Sequence, residues 1–338
     1  MTSKHGGNIY QFAHQIGCLP EQVVDFSANI NPQQALDWRT LPVSLSAYAE
    51  PDYYALKQAL HQRYPLPTMA DSEVFNGASS AIFALLKHLQ PNDVVLYTPI
   101  YLEYEGVAQQ LGCRVHKIDR FTQALLTEVP KNSTVIFVNP ATPDGALNDL
   151  QDLLTHWQAA NCTIVIDESF LDFCAIESVG KAIGNVKQLY IIKSLSKFYG
   201  CAGVRVGFIS ADTALIKALK SQEPAWKLSS FDMAYMQAAL ANTEFVHQTR
   251  TETLRLRQLL HEVLEQSGLF AQIYSGQANF LLARLANMDG YALQTHLAAA
   301  RILIRVCDNF DGLDSHHVRF AVKDEQAISK LAQCLSHV

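Results

Sequence analysis

The chain has 338 residues, 49% of them hydrophobic and 17% charged, enough for a large core and about two domains by size. A net charge of −6 argues against a basic nucleic-acid surface, and no apolar run approaches the ~18 residues that a membrane span needs. Seven scattered cysteines with no C-x-x-C pair read as reduced thiols, and Met1-Thr2-Ser3-Lys4-His5-Gly6-Gly7 lacks the apolar stretch of a signal peptide, so a cytoplasmic protein is expected.

In chain order, residues 53–63 carry apolar positions at helical spacing, and a second helix follows Asn76-Gly77-Ala78-Ser79 through Ile82, Leu85, Leu86 and Leu89. The turn Pro91-Asn92-Asp93 leads to a short buried strand, Val94-Val95-Leu96-Tyr97, before Pro99. A helix over about 102–111, a strand near Val115 and the run Val135-Ile136-Phe137-Val138 follow. Next come a helix over 148–160 and the runs Thr163-Ile164-Val165-Ile166 and Leu189-Tyr190-Ile191-Ile192. Short aliphatic runs alternating with helices predict an α/β fold with a mostly parallel sheet. These runs end in Thr98, Asn139, Asp167-Glu168 and Lys193-Ser194, and ligands of open α/β sheets bind at the carboxyl ends of the strands. Beyond about residue 225 the pattern changes to a long helical stretch over 228–267. Strand-like segments at 279–283, 302–304 and 317–322 and a terminal helix follow, which predicts a smaller α+β domain.

The strongest chemical signal is Ser194-Leu195-Ser196-Lys197 followed by Gly203-Val204-Arg205-Val206-Gly207. Hydroxyls, a cation and flexible backbone suit a phosphate dianion, which accepts several charge-assisted hydrogen bonds. A lysine desolvated near cations has a lowered pKa and can attack an aldehyde; taken alone, either Lys193 or Lys197 would read as a solvated surface residue. Asp167 ends a buried strand, where a carboxylate needs a partner: a helix cap, an ion pair or a protonated ring nitrogen. The Gly77-Ala78-Ser79-Ser80 helix start offers backbone amides to an anion, although Ser and Asn caps also open many ordinary helices. Tyr101 and Tyr104 are core aromatics or, for one of them, a face for a flat ring to stack on.

In this order the motifs resemble the fold-type-I pyridoxal-phosphate enzymes, and among them the histidinol-phosphate aminotransferase branch. The segments are Pro99-x-Tyr101-x-x-Tyr104, Asn139-Pro140-x-x-Pro143-x-Gly145, Asp167-Glu168-x-Phe170, Ser194-x-Ser196-Lys197 and Gly203-x-Arg205-x-Gly207. His5-Gly6-Gly7-Asn8, Asp25-Phe26-Ser27-Ala28-Asn29-Ile30-Asn31-Pro32 and Arg301-Ile302-Leu303-Ile304-Arg305 with Gly312-Leu313-Asp314-Ser315 narrow it to a likeness with the L-threonine-O-3-phosphate decarboxylases of cobalamin biosynthesis. The resemblance implies three parts: an N-terminal segment (1–30) that closes over the site, a large cofactor domain (31–227) and a small C-terminal domain (228–338). It implies that Lys197 holds pyridoxal 5'-phosphate as a Schiff base, that Asp167 meets the ring nitrogen, and that Tyr104 stacks on the ring. The cofactor phosphate would rest on Gly77, Ala78 and Ser79 with Ser194, Ser196 and Arg205, and Thr142 and Phe170 would complete the cofactor site. Tyr48 would reach the cofactor phosphate of the partner in a homodimer. Arg319 would take the substrate carboxylate, His5 and Arg305 its phosphate, with Gly6 and Asn29 beside them; no metal is expected.

Two positions depart from the aminotransferase pattern. Thr142 stands where that pattern has an asparagine that donates to the cofactor's phenolic oxygen, and Phe170 replaces a tyrosine. Thr142 has the shorter reach, so slower turnover or an altered substrate is expected. The implied reaction is decarboxylation of O-phospho-L-threonine. The alternatives are O-phosphoserine as substrate, an aminotransferase acting on histidinol phosphate or a related phosphorylated amine, and a catalytically poor protein that channels phosphorylated intermediates to a partner.

Overall fold

The computed structural model describes residues 5–44 and 46–338. Helix α1 (Ile9–Ile16) opens on Asn8, whose side chain accepts from the Gln11 N–H, and stops at Gly17 in the left-handed region. After β1 (Val24–Asp25) the chain runs irregularly to α2 (Tyr54–Arg63). Strand β2 (Ala70–Asn76) passes straight into α3 (Gly77–Leu89), followed by β3 (Asp93–Thr98), α4 (Leu102–Gln110), β4 (Arg114–Asp119) and β5 (Thr134–Val138). Helix α5 (Gln151–Ala159), β6 (Thr163–Asp167), β7 (Leu189–Ser194), the single turn α6 (Leu195–Phe198), β8 (Val206–Asp212) and α7 (Thr213–Lys220) come next.

Among the described residues, β2 to β8 form a seven-stranded sheet in the order β2-β8-β7-β6-β5-β3-β4. All neighbours are parallel except β8, which runs antiparallel to both β7 and β2. Successive side chains of a strand point to opposite faces, and both faces here are covered. Ile136, Val138, Val165 and Ile192 join the cluster under α3 and α4, whereas Val135, Phe137, Ile164 and Ile191 pack with Leu153, Leu154 and Trp157 of α5. Each such side chain contributes roughly 1.5–3 kcal/mol on burial, which holds the strand ends in a fixed frame.

The helical stretch expected over 228–267 is two helices, α8 (Ser230–Ala241) and α9 (Thr243–Gln266). Asn242 leaves the helical region, at φ −82° and ψ 80°, and its side chain accepts from the Phe245 N–H, so it ends one helix and caps the next. Helix α8 packs in the same cluster as Leu56 and Leu60 of α2 and Val206 and Phe208 of β8. The chain continues through β9 (Phe270–Ile273), β10 (Phe280–Leu285), α10 (Gly290–Ala298), β11 (Ile302–Leu303), β12 (Arg305–Val306), β13 (His317–Ala321) and α11 (Glu325–Leu335). Strands β12-β13-β10-β9 form an antiparallel sheet, and β1 pairs in parallel with β11.

That last pairing positions the site. The Phe26 N–H donates to the Leu303 carbonyl, the Phe26 carbonyl accepts from the Ala321 N–H, and the Asn31 N–H donates to the Lys197 carbonyl. Residues 26–31 therefore run as a seam between the C-terminal sheet and the carboxyl edge of the large one. All seven cysteines are free thiols, and no described helix is long and apolar enough to cross a membrane.

Candidate active site

A cavity of about 540 Å³ opens where the carboxyl ends of β5, β6 and β7 face the seam. Its walls include Ala78, Ser79, Tyr101, Thr142, Asp167, Phe170, Ser194, Ser196, Lys197 and Arg205, and, from the other side, His5, Gly6, Ser27, Asn29, Arg305 and Arg319.

One end is built for an anion. Gly77 starts α3 at φ 77°, and a Cβ on it would run into the Arg205 guanidinium. A Cβ on Gly207 would strike the backbone of Gly77 and Ala78, so both glycines permit β8 and the start of α3 to touch. The amides of Ala78 and Ser79 thus open a helix N-terminus beside Arg205, whose Nη1 donates to the Ala202 carbonyl at 3.0 Å. The Ser194 and Ser196 hydroxyls lie 3.1 Å apart at the same end.

Asp167 is 5% exposed at the end of β6. Its Oδ1 accepts from the Ser169 N–H and its Oδ2 from the Tyr104 hydroxyl, each at 2.8 Å. Burial, reinforced by the charge of Asp167, pushes the Tyr104 hydroxyl well above the ordinary tyrosine pKa. The stacking position expected for Tyr104 does not fit this placement. Tyr104 is the third residue of α4, buried, and not among the residues that line the cavity. Tyr101, in the turn after Pro99, is the aromatic that lines the cavity, with its hydroxyl 3.3 Å from Ser79 Oγ. Position was the missed signal: a residue on the strand-to-helix turn faces the ligand edge, and one a turn later faces the sheet.

Lys197, on α6, has Nζ 4.7 Å from the centroid of the Phe170 ring. Burial lowers its pKa below the ordinary lysine value; Asp167 opposes this, and Arg319 and Arg205 add to it. Lys193 points elsewhere, paired with Glu168 at 3.0 Å and lying over the Tyr64 ring.

The far wall is cationic. Arg319 Nη1 donates to Thr142 Oγ1 at 3.1 Å and Nη2 to the Ser27 carbonyl at 3.2 Å, while Nε has no hydrogen-bond partner among the described residues. Its pKa is pushed down by burial to about 10, which leaves it cationic at neutral pH. Arg305 Nη2 donates to Asn309 Oδ1 at 2.6 Å. His5 Nε2 is 2.7 Å from Glu103 Oε1, and its ring centroid is 5.5 Å from that of Tyr101. Gly6 abuts the Ser27 backbone with no room for a Cβ, and the Gly7 N–H donates to Ser27 Oγ, which donates in turn to Asp25 Oδ1. Asn29 is buried, and its carbonyl accepts from Asn279 Nδ2. Ser27, Glu103 and Ser169 are site residues that sequence reasoning did not single out. Tyr48 is away from this cavity, 82% exposed, with its ring 4.9 Å from that of Trp226.

The donor set fits pyridoxal phosphate. A helix start with two serines and Arg205 suits its phosphate, and a buried carboxylate with two donors of its own suits the ring nitrogen. Lys197 is within the same cavity as both.

Comparison with known proteins gives the same direction. The model of the family described as aminotransferase class I and II matches residues 20–335. The threonine-phosphate decarboxylase of Salmonella typhimurium is 30% identical, covering 100% of this chain and 97% of its own. The crystal structure of the histidinol-phosphate aminotransferase from Clostridium acetobutylicum superposes with a TM-score of 0.83 at 27% identity, over 92% of this chain and 98% of that one. The histidinol-phosphate aminotransferase from Sinorhizobium meliloti, solved in complex with pyridoxal-5'-phosphate, has a TM-score of 0.83 at 18% identity, over 99% and 98%.

Proposed function

Because this chain belongs to the class I and II aminotransferase family, whose cofactor is pyridoxal 5'-phosphate, we propose that it decarboxylates O-phospho-L-threonine to 1-aminopropan-2-yl phosphate and carbon dioxide, a step of cobalamin nucleotide-loop synthesis. The observation that carries the reading is Arg319, a buried guanidinium on the cavity wall opposite Lys197 and Asp167, whose Nε has no hydrogen-bond partner among the described residues. A buried cation with a free donor needs an anionic partner, and the carboxylate of an amino-acid substrate supplies one. The 30% identical decarboxylase supports the choice of reaction.

When bound, the cofactor supplies an electron sink conjugated with the substrate's α-carbon. Ala78, Ser79, Ser194, Ser196 and Arg205 would hold its phosphate, and Asp167 would keep a proton on its ring nitrogen. Tyr101 takes the stacking place, with Phe170 on the cavity wall near Lys197. Arg319, steadied by Thr142, would grip the α-carboxylate and so orient the group that leaves the α-carbon. His5 and Arg305, with Gly6 and Asn29, would hold the substrate phosphate. Lys197, its amine less basic than usual, would act as nucleophile and then return a proton to the α-carbon. Loss of carbon dioxide removes the group that Arg319 grips, which favours release of the amine.

In this reading the N-terminal segment 1–30, of which residues 1–4 lie outside the described residues, closes over the site, 31–227 hold the cofactor, and 228–338 supply Arg305 and Arg319. The working unit is a homodimer, with the exposed Tyr48 reaching the partner's cofactor phosphate.

Mass spectrometry of products from O-phospho-L-threonine with added pyridoxal phosphate and no keto acid tests the reading. Aminopropanol phosphate and carbon dioxide are expected, and their loss in Lys197→Ala. Untouched substrate, with glutamate formed only from histidinol phosphate and 2-oxoglutarate added together, would assign the chain to the aminotransferases instead. O-phosphoserine is expected to react less well, because one methyl is worth about 1–3 kcal/mol of discrimination.

A further inference from the structure

We infer that Tyr104 is a positioning residue for Asp167, fixing the orientation and the charge of the carboxylate that meets the cofactor's ring nitrogen. The inference rests on the reading above, in which the cavity takes pyridoxal phosphate with its ring nitrogen at Asp167.

The two residues come from different βα units. Asp167 ends β6, and Tyr104 sits on the helix after β3, with β5 between those strands in the sheet. The Tyr104 ring is 1% exposed within the cluster under α3 and α4, so it does not touch a ligand. Its hydroxyl is the part that reaches the site, at 2.8 Å from Asp167 Oδ2. The other carboxylate oxygen is held by the Ser169 N–H at the same distance. Each oxygen therefore has one donor within the protein, and the plane of the carboxylate is set by both.

The terminal torsion of an aspartate is soft, so one donor alone leaves the carboxylate free to swing. Each hydrogen bond to the ionised form also makes a carboxylate less basic. Removing the Tyr104 hydroxyl would leave a less oriented carboxylate, held by the Ser169 N–H alone, beside the ring nitrogen. A carboxylate that is less well aimed would hold the proton on the ring nitrogen less firmly, and the ring would draw electrons less strongly. Tyr104 can sustain its role at any working pH, because its own proton is held well above the ordinary tyrosine range.

The test is Tyr104→Phe, which keeps the ring and removes one oxygen, made in wild-type and in Asp167→Asn backgrounds. Four quantities are read: kcat and KM for O-phospho-L-threonine, retention of pyridoxal phosphate on dialysis, and the NMR resonance of cofactor labelled at the ring nitrogen. In the wild-type background kcat is expected to fall on the order of tenfold, as for loss of a hydrogen bond to a charged group. KM should stay within about twofold, because the lost interaction acts on the chemical step. The nitrogen resonance should move toward its unprotonated position, and the cofactor should dialyse away faster. In the Asp167→Asn background Tyr104→Phe should change none of these, since coupled residues do not add. Equal losses in both backgrounds, or an unchanged resonance with unchanged kcat, would overturn the inference and leave Tyr104 as packing. A resonance that is the same in wild type and Asp167→Asn would overturn the cofactor placement as well, and so separates the two failures.

Discussion

Thr142 shows what a single hydroxyl can and cannot do at this site. An asparagine offers a carbonyl and an amide, and so can accept from one neighbour while donating to another; a threonine must do both through one oxygen. Here Thr142 Oγ1 accepts from Arg319 Nη1, which leaves its proton as the one donor it can offer to the cavity. Thr142→Val should therefore loosen Arg319. Binding of O-phospho-L-threonine to the cofactor-loaded protein is expected to weaken about tenfold, and that of ethanolamine phosphate, which has no carboxylate, to stay the same. Calorimetry on both ligands checks this, and equal weakening would remove Arg319 from the carboxylate. Lys197 makes a second residue-scale prediction. Its pKa in the folded protein lies below the ordinary 10.5, so between those two values the unfolded chain binds the extra proton and stability rises with pH. In the cofactor-free protein, the stability of wild type relative to Lys197→Met should increase as pH rises toward that ordinary value, as read by urea titration at several pH values. A flat difference would mean that the amine is solvated.

The elements divide by how plainly the sequence announces them. Strands β5, β6 and β7 are aliphatic runs covered on both faces, and their ends carry Asn139, Asp167 and Lys193-Ser194, so strands and site were legible together. Strand β8 was not, because the glycines around Arg205 read as a flexible phosphate motif rather than the start of a strand that pairs antiparallel with both β2 and β7. The break at Asn242 was hidden in a stretch with no proline or glycine, where only the side-chain cap reveals the second helix. Tyr101 and Tyr104 stand out as a pair, but spacing gives the face of a helix and not what lies against it: Tyr101 lines the cavity, and Tyr104 hydrogen-bonds Asp167. The contact of β8 with the start of α3 carries a prediction of its own. Gly207→Ala puts a methyl against the backbone of Gly77 and Ala78. It should cost about 1–3 kcal/mol of stability by overpacking. Cofactor affinity should fall as well, because the displaced amides are those proposed to hold the cofactor phosphate; thermal unfolding and dialysis against pyridoxal phosphate measure the two effects.

At the scale of the whole molecule, the question is where one chain stops being enough. Tyr48, Trp226, Trp38 and Tyr54 are all large aromatics with about half or more of their surface exposed, and Tyr48 and Trp226 lie against each other. If Tyr48 serves the partner's site, a mixture of Tyr48→Ala and Lys197→Ala proteins should recover activity that neither has alone. The hybrid then holds one site with an intact lysine and an intact tyrosine. Unfolding and refolding the two together, followed by an assay for aminopropanol phosphate, reads this directly; a mixture no better than its parts would put Tyr48 outside the site. The seam formed by residues 26–31 has a consequence in time as well as in space. Its partners Leu303 and Ala321 lie nearly three hundred residues further along, so during synthesis the early segment waits for almost the whole chain to emerge. The seven-stranded sheet can form first, and the wall that carries Arg305 and Arg319 arrives last. Capture of the ligand is then an event that follows, rather than accompanies, formation of the large sheet.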